Sequence, residues 1–279
     1  MAAMSARWPA ELNRVGEQHR PAWSGEFSRP AEAIAADICG APDKWALFLD
    51  IDGTMLDFAA TPDKVRVPPG LGVTLGRLTR SLGGALAIVT GRRILEVDRL
   101  FMPFVPVASG VHGSELRSEA DGVIEFLAQP ITDASSLAIQ AIAKRHPGVV
   151  VETKGAGVAV HYRAAPHARE ALDAQLQSLV DTSGRSLIKL DGCSVIEILP
   201  CGFNKGTALE TLAALPLFKA RRPIMIGDDF GDDPAFAAAE RLGGFGLAVG
   251  RPRANRSRIE FEGPANVRSW LANLADCLD

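Results

Sequence analysis

The fold of this chain is decided by residues 45–54, which have the sequence WALFLDIDGT. The first five of these residues are apolar, which predicts a short strand that is buried on both faces. The next five contain two acids, a glycine and a threonine, which is typical of a loop at the end of a strand. In an open α/β sheet, ligands bind at the carboxyl ends of the strands. We therefore expect a functional site to begin at Asp50.

The same pattern of a short apolar strand recurs along the chain. Residues 85–89, 105–108, 223–226 and 246–249 each form such a run. Stretches with apolar residues at helical spacing separate them, as in residues 69–81. This alternation predicts an α/β fold, a doubly wound parallel sheet with helices on both faces.

The middle of the chain has a different rhythm. A helix over residues 133–146 precedes a hairpin over 149–162, and a helix over 168–182 precedes a hairpin over 187–199 with its turn at Asp191-Gly192. This order predicts an antiparallel α+β cap inserted into the parallel unit. The predicted domains are a core of residues 43–122 and 201–279 and a cap of residues 123–200.

Composition excludes several classes of function. The 279 residues carry a net charge of −3, and 6% of them are aromatic, so neither a basic surface nor stacking platforms favour nucleic-acid binding. No apolar run reaches the roughly 18 residues of a membrane span. Charged residues occupy the place of a signal peptide's apolar stretch, and we expect a cytoplasmic protein. Four scattered cysteines predict reduced thiols.

The first 42 residues differ from the rest of the chain. They mix prolines, glycines and charges without a clear period. We expect a flexible N-terminal extension, with a short helix near residues 30–39.

Acidic residues concentrate at two of the strand ends. Asp50 and Asp52 follow the first strand, and residues 227–233 supply four more aspartates. Each group alone could be a solvated turn or a polar helix start. Together they favour a hard cation with oxygen ligands, which is the pattern of Mg²⁺.

These motifs resemble those of the haloacid dehalogenase-like phosphatases. The matching segments, in order, are residues 50–54, residues 90–92, Lys205 and residues 227–232. The resemblance implies that Asp50 is a nucleophile that becomes phosphorylated and that Asp52 is the general acid and base. It also implies that Thr90 and Lys205 bind the phosphoryl group. The implied ligands of Mg²⁺ are Asp50, the backbone carbonyl of Asp52 and Asp228, with Asp232 binding directly or through water. Whether Asp229, Asp232 or Asp233 completes the metal shell is left open.

One branch of that superfamily is more similar still. Residues 110–115, 151–154, 158–163 and 195–206 resemble segments of the trehalose-6-phosphate phosphatases. The resemblance implies hydrolysis of trehalose 6-phosphate to trehalose and phosphate, in trehalose biosynthesis. The residues that we expect to contact the substrate are Gly91, Arg92, His112, Glu152, Lys154, Glu197 and Asn204.

Other interpretations stay open from the sequence. The substrate could be sucrose phosphate or a mannosyl- or glucosyl-phosphoglycerate, and the chain could be a sugar-phosphate binding module without catalysis. Glu152 and Lys154 alternate onto one strand face, so they could form a plain surface ion pair. His112 could make a structural hydrogen bond. We expect a small-molecule sugar phosphate as the partner, without nucleic acid or membrane, and a monomer or weak oligomer.

Overall fold

The structure is a computed structural model, and it describes residues 29–59, 64–192, 194–250 and 260–279. Within these residues it contains eight α-helices and eleven β-strands. The helices are α1 (Arg29–Gly40), α2 (Leu71–Ser81), α3 (Ile94–Phe101), α4 (Asp133–Ala143), α5 (Arg169–Thr182), α6 (Lys205–Ala213), α7 (Asp233–Arg241) and α8 (Pro264–Leu278). The strands are β1 (Trp45–Leu49), β2 (Leu86–Val89), β3 (Val107–Gly110), β4 (Glu115–Arg117), β5 (Glu125–Phe126), β6 (Val150–Lys154), β7 (Gly157–His161), β8 (Leu187–Gly192), β9 (Val195–Pro200), β10 (Arg222–Gly227) and β11 (Phe245–Ala248).

The larger sheet has seven strands in the order β11-β10-β1-β2-β3-β4-β5. Its first five strands are parallel, and β1 lies in the centre, where Leu47 pairs with Ile224 on one side and Leu86 on the other. Every residue of β1 and β2 is buried, because helices cover both faces. The predicted α/β fold with its parallel sheet is confirmed.

The edge of this sheet differs from the prediction. Strands β4 and β5 extend it in antiparallel orientation, so residues 125–126 belong to the large sheet and not to the cap. These strands are short, three and two residues, and short strands carry too little periodicity to be detected in sequence.

The four-stranded sheet, in the order β6-β7-β9-β8, is antiparallel throughout. It packs against α4 and α5 around its own apolar cluster, which includes Ile139, Val160, Leu172 and Ile198. We call the unit of α4, α5 and β6–β9 the cap. The turn predicted at Asp191-Gly192 is wrong, since β8 continues through Gly192 and pairs with Val195.

Residues 29–40 are not a flexible extension. They form α1, whose buried residues Ala31, Ile34 and Ile38 join the main core. The helix lies against α8, and the indole Nε1 of Trp270 donates a hydrogen bond to the carbonyl of Ala31. The core therefore begins before residue 43, and residues 1–28 lie outside the described part. Within that part, no helix combines the length and apolar character needed to cross a bilayer.

The expectation of reduced thiols is also wrong for two cysteines. Cys39 at the end of α1 forms a disulfide with Cys277 at the end of α8. The two residues are 238 positions apart in sequence, and the packing of α1 on α8 brings them together. Cys201 is a free, exposed thiol.

Candidate active site

The carboxyl ends of the parallel strands form one acidic site. Asp50 directly follows β1, and Asp228 directly follows β10, the neighbouring strand. Asp232 lies one turn further on and is fully buried. One carboxylate oxygen from each of these three aspartates lies within 4.8 Å of the others. Three of the predicted acids therefore meet at a single point.

Lys205 links two of these carboxylates. Its Nζ lies 2.7 Å from Oδ1 of Asp50 and 2.7 Å from Oδ1 of Asp232, and all three side chains are buried. The lysine is the first residue of α6, and Asn204 caps that helix by accepting hydrogen bonds from the backbone of Gly206 and Thr207. The oxygen of Asn204 thus fixes the start of the lysine's helix, and its substrate contact stays a prediction.

Burial makes the charged forms of Asp50 and Lys205 less favourable. Burial raises the pKa of the Asp50 carboxyl well above its ordinary value; the ammonium of Lys205 opposes this, and the charges of Asp232 and Asp228 add to it. Burial lowers the pKa of Lys205, but the carboxylates of Asp232 and Asp50 raise it well above its ordinary value. Three carboxylates around one ammonium leave excess negative charge in a buried place, and a cation would relieve it.

The carboxylates fit a divalent cation. The donors are hard oxygen atoms, which Mg²⁺ prefers, and they come from Asp50, Asp228 and Asp232. Asp229 is not part of this group, and its Oδ1 accepts a hydrogen bond from the backbone of Gly231 in the following 3₁₀ turn. The geometry thus brings Asp228 and Asp232 beside Asp50, and their binding of a metal stays a prediction.

Asp52 contacts Arg92. The guanidinium donates from Nε to Oδ2 at 2.5 Å and from Nη2 to Oδ1 at 2.7 Å. This two-point geometry fixes the carboxylate more firmly than a single contact does. The sequence predicted Arg92 as a substrate contact, and that role stays a prediction beside the observed pairing with Asp52.

Thr90 and Gly91 shape the loop after β2. Oγ1 of Thr90 accepts a hydrogen bond from the backbone of Arg92, and the backbone N–H of Thr90 donates to Ser109 on β3. A Cβ at Gly91 would lie 2.6 Å from Nε2 of His112, so only glycine permits this approach. The side chain of Thr90 is buried beside Asp50's strand and does not bond to the acidic cluster.

Two predicted cap residues meet a core residue. Nε2 of His112 lies 2.5 Å from Oε2 of Glu197, and Nζ of Lys154 donates to Oε1 of Glu197 at 3.1 Å. Burial raises the pKa of Glu197, but the positive charges of His112 and Lys154 outweigh burial and set it well below its ordinary value. The backbone N–H of His112 donates to the carbonyl of Thr90, so this trio adjoins the loop after β2.

Glu152 lies on the same strand as Lys154, but its hydrogen bond is to a different partner. Its Oε2 is 2.8 Å from Nε2 of His161, and the two strands β6 and β7 bring them together. This hydrogen bond lowers the pKa of Glu152. The sequence suggests His161 as a hairpin residue near the sugar, but it did not predict the pairing with Glu152; the structure places His161 opposite Val150.

The sequence analysis also missed the role of Thr54. Its Oγ1 donates to Oδ2 of Asp50 at 3.0 Å and lies 3.4 Å from Oδ1 of Asp228. Thr54 thereby helps to orient the predicted nucleophile. Its place at the end of the Asp-x-Asp-Gly-Thr motif was the signal that could have shown this.

The α/β core, the inserted cap and the aspartate cluster after its strands are the features that the motifs predict for a phosphatase similar to the haloacid dehalogenase-like enzymes. The chain belongs to the trehalose-phosphatase family, because the model of that family matches residues 48–259. It is 42% identical over 222 residues to a probable trehalose-phosphate phosphatase of Sinorhizobium fredii, covering 79% of this chain and 82% of that protein. It is 33% identical over 237 residues to the trehalose-6-phosphate phosphatase of Escherichia coli, covering 84% and 88%.

Solved structures agree with this fold. The C-terminal domain of a Candida albicans trehalose-6-phosphate phosphatase superposes with a TM-score of 0.77 at 18% identity, over 88% of this chain and 96% of that one. A Bacteroides thetaiotaomicron phosphatase of the haloalkanoate superfamily superposes with a TM-score of 0.56 at 19% identity, over the same two shares. At these identities the likeness supports the fold alone.

Proposed function

We propose that this enzyme hydrolyses trehalose 6-phosphate to trehalose and phosphate through a phosphoaspartyl intermediate on Asp50. The observation that carries the proposal is the ion-paired trio of Asp50, Lys205 and Asp232 at the end of the parallel sheet. It combines a buried nucleophile with a fixed cation, which is the arrangement that covalent transfer of an anionic group needs. The similarity to named trehalose-phosphate phosphatases supports the choice of substrate.

In the first step, a carboxylate oxygen of Asp50 attacks phosphorus, and the bond between phosphorus and the sugar oxygen breaks. Asp52 donates a proton to that oxygen, so trehalose leaves as a neutral alcohol. In the second step, Asp52 takes a proton from water as the water attacks the phosphoaspartate. Phosphate leaves, and the carboxylate of Asp50 is regenerated.

The carboxylates of the aspartate cluster and the phosphate of the substrate are all negatively charged, so this reaction needs a cation. Held by Asp50, Asp228, Asp232 and the backbone carbonyl of Asp52, Mg²⁺ would neutralise the repulsion between a carboxylate and a phosphate. Lys205 orients Asp50 and binds phosphoryl oxygens, and Thr90 supplies a hydroxyl hydrogen bond. These roles are assigned from the positions of the residues and from the family motifs.

We assign substrate selection to the cap. Glu197 of the cap sheet contacts His112 of the core, and Lys154 contacts Glu197, at the boundary that a sugar would occupy. Closing such a boundary excludes water from the reacting phosphate. In trehalose biosynthesis the enzyme would act on a soluble sugar phosphate in the cytoplasm.

Phosphate release from a panel of sugar phosphates tests this proposal. We expect trehalose 6-phosphate to be hydrolysed with a higher kcat/KM than sucrose 6-phosphate, mannosyl-phosphoglycerate or glucosyl-phosphoglycerate, and we expect EDTA to abolish the activity and Mg²⁺ to restore it. If another member of the panel is preferred, that compound replaces trehalose 6-phosphate as the proposed substrate, and the proposed reaction mechanism is unchanged. Binding of trehalose 6-phosphate without release of phosphate would contradict the proposed hydrolysis and favour a binding module.

The cap residues give a second prediction. Alanine in place of Glu152, Lys154 or Glu197 removes charge-assisted hydrogen bonds worth roughly 1.5–3 kcal/mol each. We expect kcat/KM for trehalose 6-phosphate to fall about 10- to 150-fold. Hydrolysis of p-nitrophenyl phosphate, which has no disaccharide to hold, should change by only a few-fold. Steady-state kinetics with both substrates give the ratio of the two losses.

Lys189→Ala is the matched control for these variants. Lys189 is also a cap lysine in an ion pair, with Asp173, but it lies on β8 against α5. We expect it to leave the ratio of the two substrates unchanged. Equal losses on both substrates in the Glu152, Lys154 and Glu197 variants, or no loss, would remove these residues from the substrate site.

A further inference from the structure

A buried carboxylate lies in the core beneath the cap. Glu115 is on β4 and is 2% exposed. Its Oε2 accepts a hydrogen bond of 2.8 Å from the backbone N–H of Ile94, the first residue of α3. Its Oε1 has no hydrogen-bond partner within the described residues, and the nearest cationic atom is Nε of Arg93 at 3.5 Å. A half-satisfied buried carboxylate is costly and needs a reason.

The turn between β6 and β7 lies next to Oε1 of Glu115. Gly155 begins the turn with a φ of +51°. A Cβ built on Gly155 would lie 2.9 Å from Oε1 of Glu115 and 3.5 Å from Cγ2 of Val111. The backbone angle favours glycine at this position, and a methyl group here would press against the Glu115 carboxylate. The cap turn contacts the core here by backbone, without a side chain between them.

The contact surface is tied to the loop after β2. Glu115 holds the first N–H of α3, and Arg92 lies two residues before that helix begins. The backbone N–H of Val111 donates to the carbonyl of Arg92 at 2.9 Å. Glu115 and Val111 therefore connect the cap turn to the segment that carries Thr90 and Arg92.

We propose that Glu115 is a positioning residue on which the Gly155 turn docks when the cap closes, and that this docking aligns the closed cap with the loop of Thr90 and Arg92. The proposal rests on the proposed function, because it concerns closure over a sugar phosphate. Glu115 itself touches no reacting atom. It acts through α3 and through the cap turn.

Gly155→Ala tests the docking by adding one methyl group where there is no room. We expect kcat/KM for trehalose 6-phosphate to fall about 10- to 100-fold, mainly through kcat. A mutation far from the reacting atoms that misplaces them by about 1 Å can lower the rate about 100-fold. Hydrolysis of p-nitrophenyl phosphate should fall by only a few-fold. The measurement is steady-state kinetics on both substrates with the full chain.

Gly184→Ala is the control for backbone strain. Gly184 also lies in the cap with a positive φ, +66°, but no atom lies within 4 Å of a Cβ at this position. We expect it to leave both activities within about twofold, as for an exposed site without contacts. Equal losses in Gly155→Ala and Gly184→Ala would show that strain alone is responsible and would overturn the proposal.

The Glu115→Ala background separates docking from general damage. Removing the carboxylate makes room for the methyl group, so the further loss caused by Gly155→Ala should shrink to about threefold or less. A merely structural role of Glu115 predicts that the two losses multiply. The same loss from Gly155→Ala in both backgrounds would therefore contradict docking on Glu115.

Hydrogen exchange gives a readout that does not depend on the substrate. We expect the amides of residues 150–161 to exchange faster in Gly155→Ala than in Gly184→Ala, and this difference to vanish in the Glu115→Ala background. If the parent enzyme does not hydrolyse trehalose 6-phosphate, the proposed function is wrong. The exchange comparison still tests whether the Gly155 turn docks on Glu115. Unchanged exchange in Gly155→Ala would overturn the docking itself.

Discussion

Asp50→Asn is expected to reduce the release of phosphate from trehalose 6-phosphate to the uncatalysed background. The substitution keeps the shape of the side chain and an oxygen that can accept from Lys205. It removes the negative charge that attacks phosphorus, and an amide does not replace a carboxylate as a nucleophile. A single-turnover assay with purified protein measures the loss. A beryllium fluoride complex, which mimics the phosphoryl group on the aspartate, should bind to the parent and not to the variant.

The variant should fold as well as the parent, because burial already raises the pKa of Asp50 and a neutral amide avoids that cost. Asp98→Asn is the matched control. Asp98 also pairs with a buried cationic side chain, Arg117, but it lies on α3 outside the acidic cluster. We expect turnover near the parent value for Asp98→Asn. Substantial turnover by folded Asp50→Asn would remove the covalent mechanism.

The central strands could be predicted from sequence because they are buried on both faces. The apolar run of residues 45–49 coincides with β1, since every side chain there meets a helix or another strand. Helix α1 was predicted near residues 30–39, but its packing on α8 was not. That contact joins segments over 200 residues apart, and local periodicity carries no information about such a partner.

The acidic cluster could be predicted for a physical reason. Asp50 and Asp228 both follow parallel strands, and parallel strands bring their carboxyl ends to one edge. The pairing partners could not be predicted in the same way. His112 and Glu197 are 85 residues apart in sequence, and their side chains meet at 2.5 Å because the cap packs on the core. Such tertiary packing is not encoded in a local sequence pattern. The pairing of Arg92 with Asp52 could not be predicted from the spacing of their motifs either.

Asp52→Asn is expected to slow hydrolysis of trehalose 6-phosphate by about 10²–10⁴-fold, because proton transfer to the leaving oxygen and from the attacking water are both lost. In the structure Arg92 holds both oxygens of Asp52, and the amide of asparagine would lose one of these contacts. Rapid-quench measurement of the phosphoenzyme separates the two steps. Formation should be slow with trehalose 6-phosphate, and breakdown should be slow with any substrate.

An aryl phosphate distinguishes the two roles of Asp52. Its leaving group needs little protonation, so formation of the phosphoenzyme in Asp52→Asn should approach the parent rate with p-nitrophenyl phosphate, while breakdown stays slow. Asp57→Asn is the control, since Asp57 also pairs with an arginine, Arg268, at 3.2 Å but outside the acidic cluster. It should leave both steps near the parent rates. Equal slowing of formation with alkyl and aryl substrates would show that Asp52 only orients the loop through Arg92, and the general acid would then have to be another group.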